Sequence, residues 1–373
     1  MIPFNKPVWL GTEILRITEA ITTHGHVAGG GPFARACEES LARMLGQPAL
    51  LVTSCTHALE MAALLLDVKE GDEFIVPSYT FVSSANAFVL RGARPVFADV
   101  DPNGNLDPRE VTRLRTPRTR AVVAVHYAGS SCDMSDLLDR CGRIPLVEDA
   151  AQALGATFDG KPLGTFGVAG AISFHETKNV GCGEGGALTV ADPALLERAE
   201  YLRDKGTNRR RFLTGLVDKY TWVDVGSSYA LSDLNAAYLS AQLDAFERIQ
   251  ARRATLHDRY VRELERAVER KGGYLVRPDP RNRPNHHLLG LVLRAREQRD
   301  RFIAHMKAHG ITTPFHYVAL HLSPMGKRFH GGEPLPGAER LTDCLVRLPL
   351  FFNMTDAEQD EVIARTLEFV DGL

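Results

Sequence analysis

The sequence predicts an α/β fold with a largely parallel sheet, followed by a smaller α+β domain. Two observations carry this prediction. Between about residues 30 and 200, short runs rich in Val and Ile alternate with stretches of helical periodicity. That alternation is typical of a parallel sheet covered by helices on both faces. After about residue 230 the chain changes to long charged helical stretches broken by Gly- and Pro-rich segments, so we expect a second, smaller unit there.

Seven short apolar runs, each bounded by Gly, Pro or Asp, are the predicted strands. They span residues 49–53, 73–77, 94–98, 121–126, 144–149, 170–175 and 187–190. Between them, residues 58–66 and 134–139 have the pattern of helices. In such a sheet, ligands gather at the C-terminal ends of the strands, and we therefore look for a site there.

The C-terminal part predicts long helices and one further strand. Residues 231–270 predict one long helix or two abutting helices, with Arg and Glu on one face and Ala and Leu on the other. Residues 288–293 predict a strand, and residues 297–309 and 356–370 predict two helices. We place the large domain at residues 1–240 and the small domain at residues 241–373.

The length and composition agree with two domains of a globular protein. The chain has 373 residues, of which 44% are hydrophobic and 24% charged. The formal net charge is −2, so nothing indicates a nucleic-acid or anionic-membrane partner. No run of about 18 apolar residues predicts a membrane span, and no apolar leader follows the N-terminus. We therefore expect a cytoplasmic protein.

The six cysteines are scattered and contain no C-x-x-C pair. They predict free thiols in a reducing compartment instead of disulfides or a zinc site. His175 and Glu176 begin a pattern similar to the zinc motif H-E-x-x-H, but residue 179 is Asn. The second histidine ligand is missing, and we expect no metal.

Two acids, Glu148 and Asp149, end the fifth apolar run. At least one of their carboxylates should lie at the C-terminal rim of the sheet. A carboxylate at this position can cap a helix. It can also hold a cationic ring nitrogen, because opposite charges at close range favour both charged forms.

Lys178 follows the next predicted strand and precedes a Gly-rich turn at residues 181–186. Lysine is scarce in this chain, with nine among the 44 basic residues. A lysine enclosed by apolar and Gly residues loses solvation, which lowers its pKa and leaves a neutral amine able to form a Schiff base.

Small hydroxyl residues occupy a predicted strand-to-helix turn at residues 53–58. Such residues are common N-caps, and the same geometry presents backbone N–H groups and the helix dipole to an anion. The chain has no P-loop motif, and the glycines of residues 164–170 precede a strand, so neither predicts a nucleotide loop. Tyr79 and Phe81 follow another strand end, where a ring either joins the core or stacks on a planar cofactor.

An anion cradle, a stacking ring, an acid for a ring nitrogen and a desolvated lysine together fit pyridoxal 5′-phosphate (PLP). With these features the sequence resembles the DegT–DnrJ–StrS family of sugar aminotransferases over nearly its whole length. The segments that carry this resemblance are residues 77–81, 147–152, 173–179, 183–186 and 232–234. Within the family, it is most similar to the dTDP-4-dehydro-6-deoxyglucose 4-aminotransferases, through residues 54–56, 205–209, 218–222 and 315–317.

The resemblance implies an aspartate-aminotransferase-like fold of type I, with a mostly parallel seven-stranded sheet in the large domain. It also implies catalytic roles for two residues. Lys178 would bind PLP as a Schiff base and later move the proton, and Asp149 would pair with the pyridinium nitrogen. Gln152 would bond the cofactor's 3-oxygen, and Phe81 would stack on its ring. The implied phosphate contacts are Ser54, Cys55, Thr56 and Ser173.

Members of this family usually place an Asn of the neighbouring subunit on that phosphate, in a Gly-x-Asn-Tyr motif. Here residues 226–229 read Gly-Ser-Ser-Tyr, so Ser228 stands where the Asn is expected. The shared site implies a homodimer with two composite active sites.

The implied reaction transfers an amino group from L-glutamate, through pyridoxamine 5′-phosphate (PMP), to C4 of dTDP-4-keto-6-deoxy-D-glucose. The candidate substrate contacts are Lys205 and Lys219 for the diphosphate and His316, Tyr317 and His321 for the sugar, although all five could instead be ordinary loop residues. A 3-aminotransferase acting on a 3-keto sugar is the nearest alternative. The presence of Lys178 disfavours a sugar dehydratase. The intact Asp149–Lys178 pair disfavours a non-catalytic regulator on the same fold. The missing glycine fingerprint disfavours a Rossmann oxidoreductase.

Overall fold

The computed structural model describes all 373 residues. They form one seven-stranded sheet and two three-stranded sheets. The strands are β1 (Ala49–Val52), β2 (Glu73–Pro77), β3 (Arg94–Ala98), β4 (Thr119–Val125), β5 (Leu146–Asp149), β6 (Thr157–Phe158), β7 (Lys161–Pro162), β8 (Ala169–Ser173), β9 (Gly186–Thr189), β10 (Tyr274–Leu275), β11 (Asn282–Arg283), β12 (Leu289–Val292) and β13 (Leu345–Leu348).

Thirteen α-helices accompany the strands. They are α1 (Glu13–Thr22), α2 (Pro32–Leu45), α3 (Cys55–Leu65), α4 (Ser83–Val89), α5 (Pro108–Leu114), α6 (Met134–Cys141), α7 (Pro193–Arg203), α8 (Arg209–Leu213), α9 (Asp233–Asp244), α10 (Phe246–Arg270), α11 (Arg296–Ala308), α12 (Pro336–Cys344) and α13 (Asp356–Asp371). None of these helices is long and apolar enough to cross a membrane.

The large sheet has the strand order β1-β9-β8-β5-β4-β2-β3. The strands from β8 to β3 run parallel, whereas β9 is antiparallel to both of its neighbours. Each of the seven predicted runs contains or overlaps one strand of this sheet. The prediction of an α/β fold with a mostly parallel seven-stranded sheet is therefore confirmed.

Both faces of the sheet are buried, as continuous apolar strands require. In β4, Ala121 and Val123 belong to one core cluster, and Val122 and Ala124 belong to the other. Helices α3, α4 and α7 contribute side chains to the first cluster, and α2, α5, α6 and α9 contribute to the second. Side chains thus alternate between two helical layers, and the strand ends stay free to carry a site.

The C-terminal part forms its own core, in which α10, α11 and α13 pack on the sheet β10-β12-β13. Residues 231–270 form two abutting helices, because α9 ends at Asp244 and α10 begins at Phe246. The expected strand at residues 288–293 is β12, and the two expected later helices are α11 and α13. The division of the domains at residue 240 stays a prediction; it lies within α9.

Candidate active site

A cavity of about 590 Å³ opens at the C-terminal ends of β5 and β8. Side chains of the loop before α12 and of β13 close its other side. Eight residues predicted to contact the cofactor line this cavity: Ser54, Cys55, Thr56, Phe81, Asp149, Gln152, Ser173 and Lys178. Residues far apart in the sequence thus meet where the sheet topology places a ligand site.

The acids that end β5 have different surroundings because successive strand residues face opposite sides of the sheet. Glu148 is fully buried. It accepts hydrogen bonds from the backbone N–H groups of Gly164, Phe166 and Gly167 at 2.7, 2.6 and 2.7 Å and pairs with His126 at 2.8 Å. Glu148 therefore fixes the loop before β8 and takes no part in the cavity.

Asp149 faces the cavity and is 6% exposed. One of its oxygens accepts a hydrogen bond from the Ser84 hydroxyl at 2.6 Å, and the other accepts from the Ala151 N–H at 3.1 Å. These bonds orient the carboxylate before any ligand arrives. The sequence analysis did not identify Ser84; its place in the first turn of α4, just after the predicted Phe81, is the signal that could have indicated it.

Lys178 lies in the turn after β8, where its N–H bonds the His175 carbonyl at 2.9 Å. No carboxylate lies within 4.0 Å of its amine. Burial lowers the pKa of Lys178, and the nearby Cys55 and Asp149 partly oppose that shift. Because desolvation is the largest cause, the site shifts the amine towards its neutral form, which is the form that attacks an aldehyde.

The predicted anion cradle is at the start of α3, which borders the cavity. Ser54 caps the helix by accepting a hydrogen bond from the His57 N–H at 3.1 Å, and the Thr56 hydroxyl bonds the Ser83 hydroxyl at 2.8 Å. A Cβ at Gly186 in the adjacent β9 would lie 2.4 Å from the backbone of Ser54 and Cys55. A glycine is therefore required for this strand to approach the helix end so closely.

The two candidate stacking rings, Tyr79 and Phe81, differ in their exposure to the cavity. Tyr79 is fully buried, whereas Phe81 is 57% exposed and lines the cavity. The Phe81 ring is 6.5 Å from the ring of Tyr317. Of the two, Phe81 is therefore the ring that a planar ligand can reach.

A hydrogen-bonded network joins the two sides of the cavity. Gln152 accepts a hydrogen bond from the Ala128 N–H at 2.8 Å and donates one to the Tyr317 hydroxyl at 3.0 Å. The Tyr317 ring stacks on His316 at 3.7 Å, and His316 Nδ1 bonds the Tyr127 hydroxyl at 2.8 Å. Burial holds the pKa of His316 well below its usual value, so this histidine is neutral.

Arg347, on β13, also lines the cavity. The sequence analysis missed it because an arginine within an apolar run carries no motif of its own. Its guanidinium donates to the Phe315 carbonyl at 3.1 Å and covers the Phe4 ring at 4.2 Å. No carboxylate lies within 4.0 Å of it.

Four other predicted residues lie outside the cavity of this chain. Lys205, Lys219 and Ser228 are exposed, and Ser228 forms a backbone bridge with Asp204. His321 is buried between the Ser78 hydroxyl at 2.7 Å and Glu339 at 3.3 Å. The walls of the cavity thus give no support to a substrate role for His321, and the roles of the other three stay predictions.

The donor set fits pyridoxal phosphate. The cavity combines an unpaired, half-buried lysine, an oriented buried carboxylate, an exposed ring and a helix start bearing hydroxyl groups. These are the groups that an aldehyde, a ring nitrogen, an aromatic ring and a phosphate would each need.

Comparison with known proteins agrees with this reading. The sequence matches the DegT/DnrJ/EryC1/StrS aminotransferase family over residues 10–367. An uncharacterised protein of Methanocaldococcus jannaschii is 32% identical over 347 residues, which cover 89% of both chains.

Solved structures share the fold over the whole chain. An aminotransferase, TlmJ, from Streptoalloteichus hindustanus is 31% identical with a TM-score of 0.91, covering 100% of this chain and 99% of its own. The Streptococcus pneumoniae protein Spr1654, assigned as a sugar aminotransferase, has the same TM-score at 25% identity in its PMP form, with full coverage of both chains. The chain therefore belongs to the DegT/DnrJ/EryC1/StrS aminotransferase family, and it is a PLP-dependent sugar aminotransferase.

Proposed function

We propose that this enzyme converts dTDP-4-keto-6-deoxy-D-glucose into a dTDP-4-amino-4,6-dideoxyhexose, with L-glutamate as the amino donor. The observation that carries the proposal is the position of residues 315–317, one of the segments similar to the 4-aminotransferases. Within it, His316 and Tyr317 line the same cavity as Lys178 and Asp149. A segment typical of 4-keto-sugar enzymes is thus next to the reacting groups.

The protein's own residues account for the remaining chemistry. Bound PLP supplies an aldehyde for the amine and an electron-deficient ring that stabilises negative charge on the substrate carbon. Asp149, held by Ser84 and the Ala151 N–H, keeps a proton on the ring nitrogen because its negative charge favours the cationic ring. The Lys178 amine accepts and returns the proton that moves during transfer.

The cavity wall also restricts water. Tyr79 and Tyr127 are fully buried behind His316 and Tyr317. Aromatic side chains therefore form the cavity wall around His316 and Tyr317. A drier site strengthens the attraction between Asp149 and a ring cation.

We further propose a homodimer in which Ser228 of each subunit completes the phosphate site of the other. The support is that Ser228 is exposed and outside its own cavity, in a stretch that also exposes Leu216 and Trp222, at 68% and 78%. Lys205 and Lys219 lie on this same exposed segment and would meet the diphosphate there. Light scattering of the purified protein tests the dimer, and a monomer at micromolar concentration would contradict it. A cytoplasmic location stays part of the proposal.

Product analysis tests the substrate. The 4-keto and 3-keto forms of the dTDP-6-deoxyhexose are incubated side by side with the holoenzyme and L-glutamate, and the products are identified by NMR. We expect amination at C4 only. A product aminated at C3 would replace the proposal with the 3-aminotransferase alternative. The coupling constants of the new amine also distinguish the gluco from the galacto product.

A further inference from the structure

Two histidines outside the cavity lie against each other with ring nitrogens that have no hydrogen-bond partner. His257 lies on α10 and is 7% exposed, and His286 is half-buried in the segment between β11 and β12. Their ring centroids are 4.7 Å apart, and the Nδ1 atom of each ring is buried without a partner. A buried polar atom without a partner costs free energy, so a ligand that binds both nitrogens would stabilise this part of the fold.

A carboxylate lies beside the two rings. Asp258 follows His257 on α10, and its Oδ1 atom is 3.6 Å from His257 Nδ1, which is too far for a hydrogen bond. One nitrogen of each histidine and one oxygen of Asp258 all lie within 4.8 Å of one another. The Asp258 side chain is 72% exposed, so the group is open to solvent on one side and an ion can enter it.

The charges around the two rings leave room for a cation. Burial lowers the pKa of both histidines, which are therefore neutral, and neutral imidazole is the form that binds a metal. The two nearby guanidiniums have other partners. Arg253 Nε donates to the His286 carbonyl at 3.1 Å, and Arg277 pairs with Glu265 at 2.6 Å. No arginine or lysine lies within 4.0 Å of the Asp258 carboxylate, so this anion is free to balance an ion.

We propose that His257, Asp258 and His286 bind a divalent transition-metal ion, for which Zn²⁺ is the probe. Two imidazole nitrogens and one carboxylate oxygen suit Zn²⁺, with water in the remaining position. The same set disfavours Mg²⁺ and Ca²⁺, which take oxygen ligands. The expectation that the chain holds no metal rested on the spacing around His175, whereas these three residues meet only in the folded chain.

The geometry needs a small adjustment to hold an ion. Zinc bonds of about 2.0–2.1 Å in a tetrahedron place two ligand atoms about 3.4 Å apart. The largest separation of 4.8 Å therefore has to shrink by about 1.4 Å. Rotation of the exposed Asp258 side chain and of the half-buried His286 ring can supply this movement without a change in α10.

The role of this metal site is structural. None of its three residues lines the main cavity or the adjoining one that Lys178 also borders. The next residue, His287, bonds Asn179 Oδ1 at 3.0 Å, and Asn179 Nδ2 donates to the Asn285 carbonyl at 2.8 Å. Because Asn179 follows Lys178, an ion bound at His286 ties α10 to the segment that supports the lysine turn, and it contacts no reacting group.

Titration of the PLP-loaded enzyme with ZnCl₂, followed by calorimetry without amino acid or sugar, tests the site. We expect one Zn²⁺ to bind per chain and the melting temperature to rise, because an ion that binds the folded chain stabilises it. MgCl₂ should give no binding. His286→Asn and Asp258→Asn should each weaken Zn²⁺ binding at least about tenfold, since losing a residue that merely supports a metal ligand already costs about 10- to 100-fold.

Both variants should fold. The φ angle of His286 is 53°, and asparagine tolerates this left-handed conformation well. Asp258 is a surface side chain on α10, and asparagine keeps its shape.

His305 and His309 on α11 provide a matched control. Their ring centroids are also 4.7 Å apart, but His305 Nε2 bonds the Arg365 carbonyl at 3.1 Å and His309 Nδ1 bonds the His305 carbonyl at 2.9 Å. Because these nitrogens already have partners, we expect His309→Gln to bind Zn²⁺ as the wild type does.

An anomalous-scattering map at the zinc edge, from crystals grown with Zn²⁺, gives a second readout. We expect its peak between His257 and His286. A peak only elsewhere, no heat of binding in the titration, or wild-type affinity in either His286→Asn or Asp258→Asn would overturn the three-residue site. Binding of Mg²⁺ as tight as that of Zn²⁺ would also overturn it. These measurements use no substrate, so their outcome is independent of the proposed sugar reaction.

Discussion

The two walls of the cavity are built in different ways. The wall from the sheet consists of strand and helix ends, and its groups Asp149, Ser173 and Ser54 accept hydrogen bonds from backbone N–H groups two or three residues further along the chain. The wall from the C-terminal part consists of His316, Tyr317 and Arg347, and the first two are held by hydrogen bonds with Tyr127 and Gln152 of the opposite wall. The first wall thus depends on the sheet itself, whereas the second depends on how the C-terminal part packs against it.

The largest effect is expected from Lys178, the reacting group of the wall from the sheet. In Lys178→Ala, no amine remains to accept the proton, and proton transfer by a positioned group contributes about 100- to 10,000-fold. We expect turnover to fall at least about 1,000-fold, and borohydride reduction of the PLP-loaded protein should no longer fix a cofactor adduct.

A matched control is available in Lys161→Ala, because Lys161 is an exposed lysine over the Phe166 ring. Its turnover and adduct should equal those of the wild type. If mass spectrometry still found the fixed adduct in Lys178→Ala, another lysine would carry the cofactor, and our assignment would be wrong.

The next largest effect is expected from Asp149→Asn, which keeps the shape of the side chain and removes its charge. An opposite charge at close range shifts a pKa by one to three units, so losing it should leave the ring nitrogen mostly neutral and lower turnover about 100-fold. Cofactor binding, measured by fluorescence titration, should weaken far less than turnover. Turnover close to wild type would remove the electron-sink role of Asp149.

The contrast between the walls explains what the sequence could and could not predict. Strand ends, Gly-rich turns and the start of α3 leave local signals, so Asp149, Lys178 and Ser54 were identified from residue order alone. Ser84 and Tyr127 act through contacts with Asp149 and His316 that only the folded chain creates. Arg347 lies within the apolar pattern of β13 and gives no local signal. The role of Glu148, beside Asp149, likewise became clear only from which side of β5 each carboxylate faces.

A smaller effect is expected from Ser84→Ala, which removes the 2.6 Å hydrogen bond to Asp149 and leaves the charge. Hydrogen bonds to charged groups are worth about 1.5–3 kcal/mol, so we expect turnover to fall about tenfold. A wild-type absorbance band would show that PLP still binds. Thr56→Val is the variant with which Ser84→Ala is compared. The Thr56 hydroxyl bonds the Ser83 hydroxyl and belongs to the predicted phosphate cradle. Thr56→Val should weaken PLP binding more than Ser84→Ala does, and the reverse order would argue against the orienting role of Ser84.

The smallest effect is expected from Tyr127→Phe, which tests the wall from the C-terminal part. The variant loses the 2.8 Å bond to His316 Nδ1 but keeps the ring that packs on Tyr79. A neutral hydrogen bond contributes about 1 kcal/mol net, which corresponds to about a fivefold change. His316 borders the cavity and does not touch the cradle at the start of α3. We therefore expect the KM for the nucleotide sugar to rise by this factor, and we expect the PLP dissociation constant to stay unchanged. A variant that instead loses PLP affinity would mean that the two walls are coupled, and the separation between cofactor and substrate sides would not hold.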